Sequence, residues 1–186
     1  QVSTNSDVLS DLDIQKLIAL LKAVHYFGDE QYLITICHFD FLGFDALDLY
    51  RLSEEARTKR VNLYWLIRDL KSLKRLGLKQ PAVIHRLYQS LERWQKMSRN
   101  QSLAELFGAV VNESGFLETL LKHPQAVEKL SRLHSFFDEL KSLIAGEPQY
   151  SLAQWLDYLT MLTPHGASLG KPPTMGFNGV QVSTVH

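Results

Sequence analysis

The chain has 186 residues, is 45% hydrophobic, and carries 20 Lys/Arg against 20 Asp/Glu, with a pI of about 7.2. That is enough for one large domain with a real core, and zero net charge names no partner by itself. No apolar run approaches the roughly 18 residues of a membrane span, the opening residues lack a signal-peptide pattern, and the single cysteine, Cys37, excludes an internal disulfide and fits a reducing compartment, so a cytoplasmic protein is expected.

Charge is laid out in blocks. Residues 1–56 hold 3 Lys/Arg and 10 Asp/Glu, residues 57–99 hold 12 and 2, and residues 100–186 hold 5 and 8. A central basic block between acidic flanks is a candidate phosphate-facing surface; the alternative is that helices spread these charges over a solvated exterior.

In chain order, Ser10 or Asp11 can cap a first helix bearing Leu17, Ile18, Leu21 and Val24, with Gly28 at its end. Asp29 caps a short second helix through Tyr32, Leu33 and Ile36. After His38-Phe-Asp-Phe-Leu-Gly-Phe44, Asp45 caps a third helix with Leu49 and Leu52. The Gly43 turn has two readings: a helix-hairpin-helix-like turn whose backbone approaches a phosphate, or an ordinary connection with Phe41 and Phe44 plugged into the core. The spacing of Leu63, Leu66, Ile67, Leu70 and Leu73 predicts a fourth helix over 63–76, stopped by Gly77. On it Arg68, Lys71 and Arg75 share a second face, with Lys74 beside them, the most concentrated basic face of the chain. Pro81 opens a fifth helix carrying Ile84, Leu87, Leu91 and Trp94; Trp94 is expected in the core rather than as a base-stacking platform.

Ser102-Leu-Ala-Glu105 and Ser151-Leu-Ala-Gln154 are capping boxes opening further helices. Between them Gly115-Phe116 starts a short helix. Pro124 begins a long one lined by Leu130, Leu133, Phe137, Leu140 and Ile144. The helix 152–162 turns Trp155, Leu156 and Leu159 inward. Residues 163–178, with Pro164, Gly166, Gly170, Pro172, Pro173 and Gly176, are a loop leading to a β-branched run, Gly179-Val-Gln-Val-Ser-Thr-Val-His186. Gln1-Val-Ser-Thr4 repeats Gln181-Val-Ser-Thr184. The expectation is a mainly α fold of about nine helices with a short strand at each end, and a chain that is monomeric and cut from a longer one.

Chemistry of its own is not expected. The nearest string to a phosphate-binding G-x-x-x-x-G-K-[ST] loop, Gly166-Ala-Ser-Leu-Gly-Lys-Pro172, is one residue short and ends on a proline that offers no hydroxyl to Mg²⁺. Cys37-His38 lacks further ligands at zinc spacing and reads as a buried thiol. The pairs Glu54-Glu55 and Asp138-Glu139 point different ways on helices, as solvated faces do. No metal site is expected.

Val-Gln-Val-Ser-Thr-Val-His186 resembles the opening of helicase motif V in UvrD/Rep-like superfamily 1 DNA helicases. Ile14-Gln-Lys-Leu-Ile-Ala-Leu-Leu-Lys-Ala23, Ser102-Leu-Ala-Glu-Leu-Phe107, Gly115-Phe-Leu-Glu-Thr-Leu120 and Ser151-Leu-Ala-Gln-Trp-Leu-Asp-Tyr-Leu159 are similar, in that order, to segments of the family's helical 2B subdomain, which is inserted into the second RecA-like motor domain, 2A. The resemblance implies a division into 1–8 (flank of 2A), 9–163 (2B-type insertion) and 164–186 (loop and motif V strand of 2A). It implies a parent ATP-dependent DNA helicase, a hydrolase that uses ATP and Mg²⁺, while this chain holds no ATP site. It also implies that Thr184 and His186 contact single-stranded DNA, and that the 2B body swings as a unit, meets duplex DNA or partner proteins, and tunes unwinding. Candidate duplex contacts are Gly43, Lys59, Arg60, Arg68, Lys71, Lys74 and Arg75. The family's Arg-Gly-Ile-Gly turn is here Phe41-Leu-Gly-Phe44, with one glycine and no Arg, closer to the branches related to helicase–nuclease subunits. Arg132 stands where the family often has Asn. The competing expectation is a protein-interaction module that docks an acidic partner or the helicase core.

Overall fold

The computed structural model describes residues 8–147 and 149–162. The two expected terminal strands, with Thr184 and His186, lie outside the described residues. Within them the fold is helical throughout: α1 (Leu12–His25), α2 (Glu30–Cys37), a 3₁₀ turn (Asp40–Leu42), α3 (Ala46–Lys59), α4 (Leu63–Ile67), α5 (Leu70–Arg75), α6 (Pro81–Asn100), α7 (Leu103–Glu113), α8 (Phe116–Lys122), α9 (Ala126–Gly146) and α10 (Leu152–Leu162).

The helix starts are written in side chains. Asp11, Asp29, Asp45, Asn62 and Asp69 each accept hydrogen bonds from backbone N–H groups of the turn they open. Such caps satisfy donors that a helix N-terminus leaves without an intrahelical acceptor. Both capping boxes form: Ser102 with Glu105, and Ser151 with Gln154. Pro81 sits in the first turn of α6.

Among the described residues the predicted fourth helix is two, and residues 8–10 are also helical, ahead of α1. Asp69 leaves the helical conformation (φ −113°, ψ 107°) and its carboxylate accepts from the N–H groups of Lys71 and Ser72, so α4 stops and α5 restarts. An aspartate caps better than it propagates. The apolar stripe continues across the break because Leu63, Leu66, Ile67 and Leu73 all enter the same core.

That core is built around α1. Ile14, Leu17, Ile18, Leu20, Leu21, Ala23 and Val24 are at most 1% exposed, the pattern of a helix enclosed on nearly all sides. It packs against α2 and α6 toward one end of the chain and against α9 and α10 toward the other. Trp94 of α6 is buried, as expected, and its indole N–H donates to Glu113 at 2.9 Å. Phe107, Phe136 and Trp155 join α7, α9 and α10 in an aromatic cluster, with Phe136 and Trp155 centroids 5.3 Å apart. Asp11 and Asp13 at the start of α1 pair with Arg132 and Lys129 of α9.

Candidate nucleic-acid interface

The part of the basic block ahead of α6 occupies consecutive elements, the end of α3, then α4 and α5; α3 packs on α4, α4 on α5, and α4 and α5 on α6. On α5 a single side chain, Leu73, is buried. At 100° per residue Lys71 and Arg75 fall opposite Leu73, and Lys74 lies to one side. All three are exposed and form no salt bridge among the described residues. Asp69 is the one carboxylate in this stretch; hydrogen bonds from the Ser72 hydroxyl and the Lys71 N–H hold it below its ordinary value, so it stays charged and caps α5.

Arg68 does not share that face. It closes α4, and its guanidinium lies over the Trp65 ring, 4.9 Å from the centroid. Lys59 is engaged by Glu55 at 2.5 Å, one turn back on α3. Arg60 caps the end of α3 in the left-handed region (φ 55°) and is exposed. The structure therefore keeps Lys71, Lys74 and Arg75 together as an open cationic face, with Arg68 on a neighbouring element and Lys59 neutralised.

At the Gly43 turn, Gly43 adopts φ 68° and its N–H donates to the Asp40 carbonyl at 3.1 Å. Two carboxylates flank it, Asp40 paired with Lys16 and Asp45 with Lys79. Phe41 packs edge-on against Phe116 of α8, centroids 5.3 Å apart. The Phe41 carbonyl lies against Gly115, where a Cβ would come within 2.7 Å. The turn thus has the packing of the plug reading.

The ends of the basic stretch are pinned by contacts that the sequence did not announce. Asp48 of α3 is fully buried, and its two carboxylate oxygens accept from the N–H groups of Lys79 (2.9 Å) and Gln80 (2.8 Å) at the start of α6. Arg51 donates to the Gly77 carbonyl. His85 of α6 bonds the Ile67 carbonyl at the end of α4 through Nδ1 at 3.1 Å. The clue available in the sequence was an aspartate beside three apolar residues of α3, Leu47, Leu49 and Leu52; its partners lie 31 and 32 residues away.

Beside this surface α2, α3, α4 and α6 leave an apolar groove of about 250 Å³ lined by residues including Leu33, Ile34, Cys37, Leu49, Tyr50 and Ile84. Burial pushes the Cys37 thiol up to about 12, so it is protonated and unreactive at neutral pH. Among the described residues no group of three or more His, Cys, Asp or Glu side chains could hold a metal ion, and no helix is long and apolar enough to cross a membrane.

The described residues thus form a mainly helical body whose α5 presents Lys71, Lys74 and Arg75 outward. The chain is similar to the A subunit of the ATP-dependent helicase/nuclease of Natranaerobius thermophilus, 23% identical over 184 residues, covering 94% of this chain and 14% of that protein. It is also similar to the corresponding subunit of Moorella thermoacetica, 26% identical over 98 residues, covering 52% of this chain and 7% of that protein. The chain is therefore helicase-related, and it spans about a seventh or less of the length of these relatives. No protein-family model matches the chain, and no solved structure matches it.

Proposed function

We propose that this chain is the 2B-type accessory region of an ATP-dependent DNA helicase, and that it meets the duplex backbone through the outward face of α5. The observation that carries this reading is the trio Lys71, Lys74 and Arg75, exposed and without a salt bridge among the described residues, in a chain related to helicase/nuclease A subunits. Cations that are not neutralised internally release condensed counterions when they meet phosphates, so binding is sequence-independent and steeply dependent on salt. Arg68 and Arg60 extend the surface to the neighbouring elements; Lys59, held by Glu55, contributes least. The ATP, Mg²⁺ and motor residues belong to the parent protein, and Thr184 and His186 would act there on single-stranded DNA.

The test is fluorescence anisotropy with a fork DNA at low salt, followed by a salt titration. Lys71→Glu combined with Arg75→Glu is expected to weaken binding at least ten-fold and to flatten the log–log salt dependence by about two. Unchanged affinity in that variant would refute the assignment. A second reading, docking onto a protein partner, is favoured by the apolar groove and the exposed Ile34 and Tyr50 at its rim. Absence of DNA binding at every salt concentration would transfer the assignment to it.

A further inference from the structure

Of the three tryptophans, Trp94 and Trp155 are 1% exposed, whereas Trp65 is 56% exposed. The other four residues of α4, Leu63, Tyr64, Leu66 and Ile67, are all buried, so Trp65 is the residue that this short helix presents outward. A singly exposed apolar side chain is ordinary in a folded protein. What sets Trp65 apart is the Arg68 guanidinium over its ring at 4.9 Å, and its place on a helix that packs against α5, which carries Lys71, Lys74 and Arg75. An aromatic ring with an arginine stacked on it, beside cations that attract phosphates, is the arrangement that proteins use to hold unpaired bases.

We propose that Trp65, with Arg68, is a stacking platform for an unpaired base of single-stranded DNA where it leaves a duplex. The inference rests on the proposed duplex contact by α5 and adds a second kind of contact to it. The phosphates lie against Lys71, Lys74 and Arg75, and the first unpaired base stacks on the Trp65 ring. Stacking is tolerant of sequence because every base has a π-face, so the site selects a junction and not a sequence.

The exposure pattern makes this directly measurable. Trp65 is the tryptophan that iodide reaches in the 186-residue chain, because Trp94 and Trp155 are enclosed. Two probes are used: a blunt DNA duplex, and the same duplex carrying an oligothymidylate tail. The tail is expected to tighten binding about ten-fold, to quench the emission, and to protect the remaining emission from iodide. Trp65→Ala should abolish the advantage of the tail while leaving affinity for the blunt duplex within about two-fold, and Trp65→Phe should keep most of the advantage. Equal binding of both probes without a change in emission would overturn the platform and leave the duplex contact standing. A tail advantage that survives in Trp65→Ala would also overturn it. Failure of both probes to bind at low salt would overturn the platform and the duplex contact together.

Discussion

Asp48→Ala should be among the most damaging single substitutions in the basic half of the protein. The carboxylate is fully buried and takes two backbone N–H groups, from Lys79 at 2.9 Å and Gln80 at 2.8 Å. A hydrogen bond to a charged group contributes about 1.5–3 kcal/mol, and leaving a buried donor without an acceptor costs about 1–3 kcal/mol. Partial re-solvation of the two N–H groups lowers the combined loss to about 3 kcal/mol, a large share of a typical total of about 5–15 kcal/mol. With an m-value near 2 kcal/mol per molar urea, the midpoint should fall by about 1.5 M. Asp48→Asn should fall by roughly half as much, since the amide offers one acceptor and turns its NH₂ toward the second donor. Lys79→Met, which removes an exposed ion pair and leaves both backbone bonds, is the control and should move the midpoint far less. Because α4 and α5 lie between α3 and α6, the same loss should weaken the proposed DNA contact at temperatures where the protein is still folded. A midpoint shift below about 0.3 M in Asp48→Ala, or an Asn variant indistinguishable from wild type, would refute this account of how the basic stretch is held.

Gly115→Ala should destabilise by about 2–4 kcal/mol in the same assay, because Gly115 sits at φ 87° and a Cβ there meets the Phe41 carbonyl at 2.7 Å; Gly43→Ala, at φ 68° with open space around it, should cost only about 1 kcal/mol. At Asp11 burial works to raise the carboxyl, but the Arg132 hydrogen bond and charge and the N–H groups of Ile14 and Asp13 outweigh it and hold it below its ordinary 3.8. A folded-state value lower than the unfolded one stabilises the protein above pH of about 4 and loses that contribution as pH falls through the folded value, so Arg132→Met should flatten the acid end of the stability–pH curve below about pH 4 and leave its shape near neutrality unchanged.

Much of the helical plan was legible because its signals are local. Asp11, Asp29 and Asp45, the two Ser-Leu-Ala-Glu/Gln boxes and Pro81 each act within one turn, and each starts a helix where the pattern placed it. Trp94 was placed correctly because it falls on the Ile84, Leu87 and Leu91 stripe. The break at Asp69 was missed for the opposite reason: the stripe from Leu63 to Leu73 is unbroken, and periodicity cannot tell one helix from two that face the same core. That error mattered for the site, since it set Arg68 on the face of Lys71 and Arg75, when it belongs to α4 and to Trp65. The Asp48 bonds to Lys79 and Gln80, and the Asp13–Lys129 and Asp11–Arg132 pairs, span tens to more than a hundred residues and leave no local trace.

The placement of α1 ties these pieces to the way such a body can work. The segment Ile14–Ala23, where the resemblance to the helicase family is dense, is also the most deeply buried stretch of the fold. It is in contact with α6, which anchors the basic half through Asp48 and His85, and with α9 and α10, which carry the aromatic cluster and the ion pairs to Asp11 and Asp13. A shift of the basic face relative to the aromatic half would have to drag a spine whose seven apolar side chains have no free surface to slide over, and close-packed interiors resist such continuous deformation. If α5 meets a DNA backbone as proposed, force applied there would be carried through α6 and α1 to the far half as a displacement of the whole body. The proposed accessory role would need that mechanical property, because a grip that yielded internally would transmit nothing to a motor.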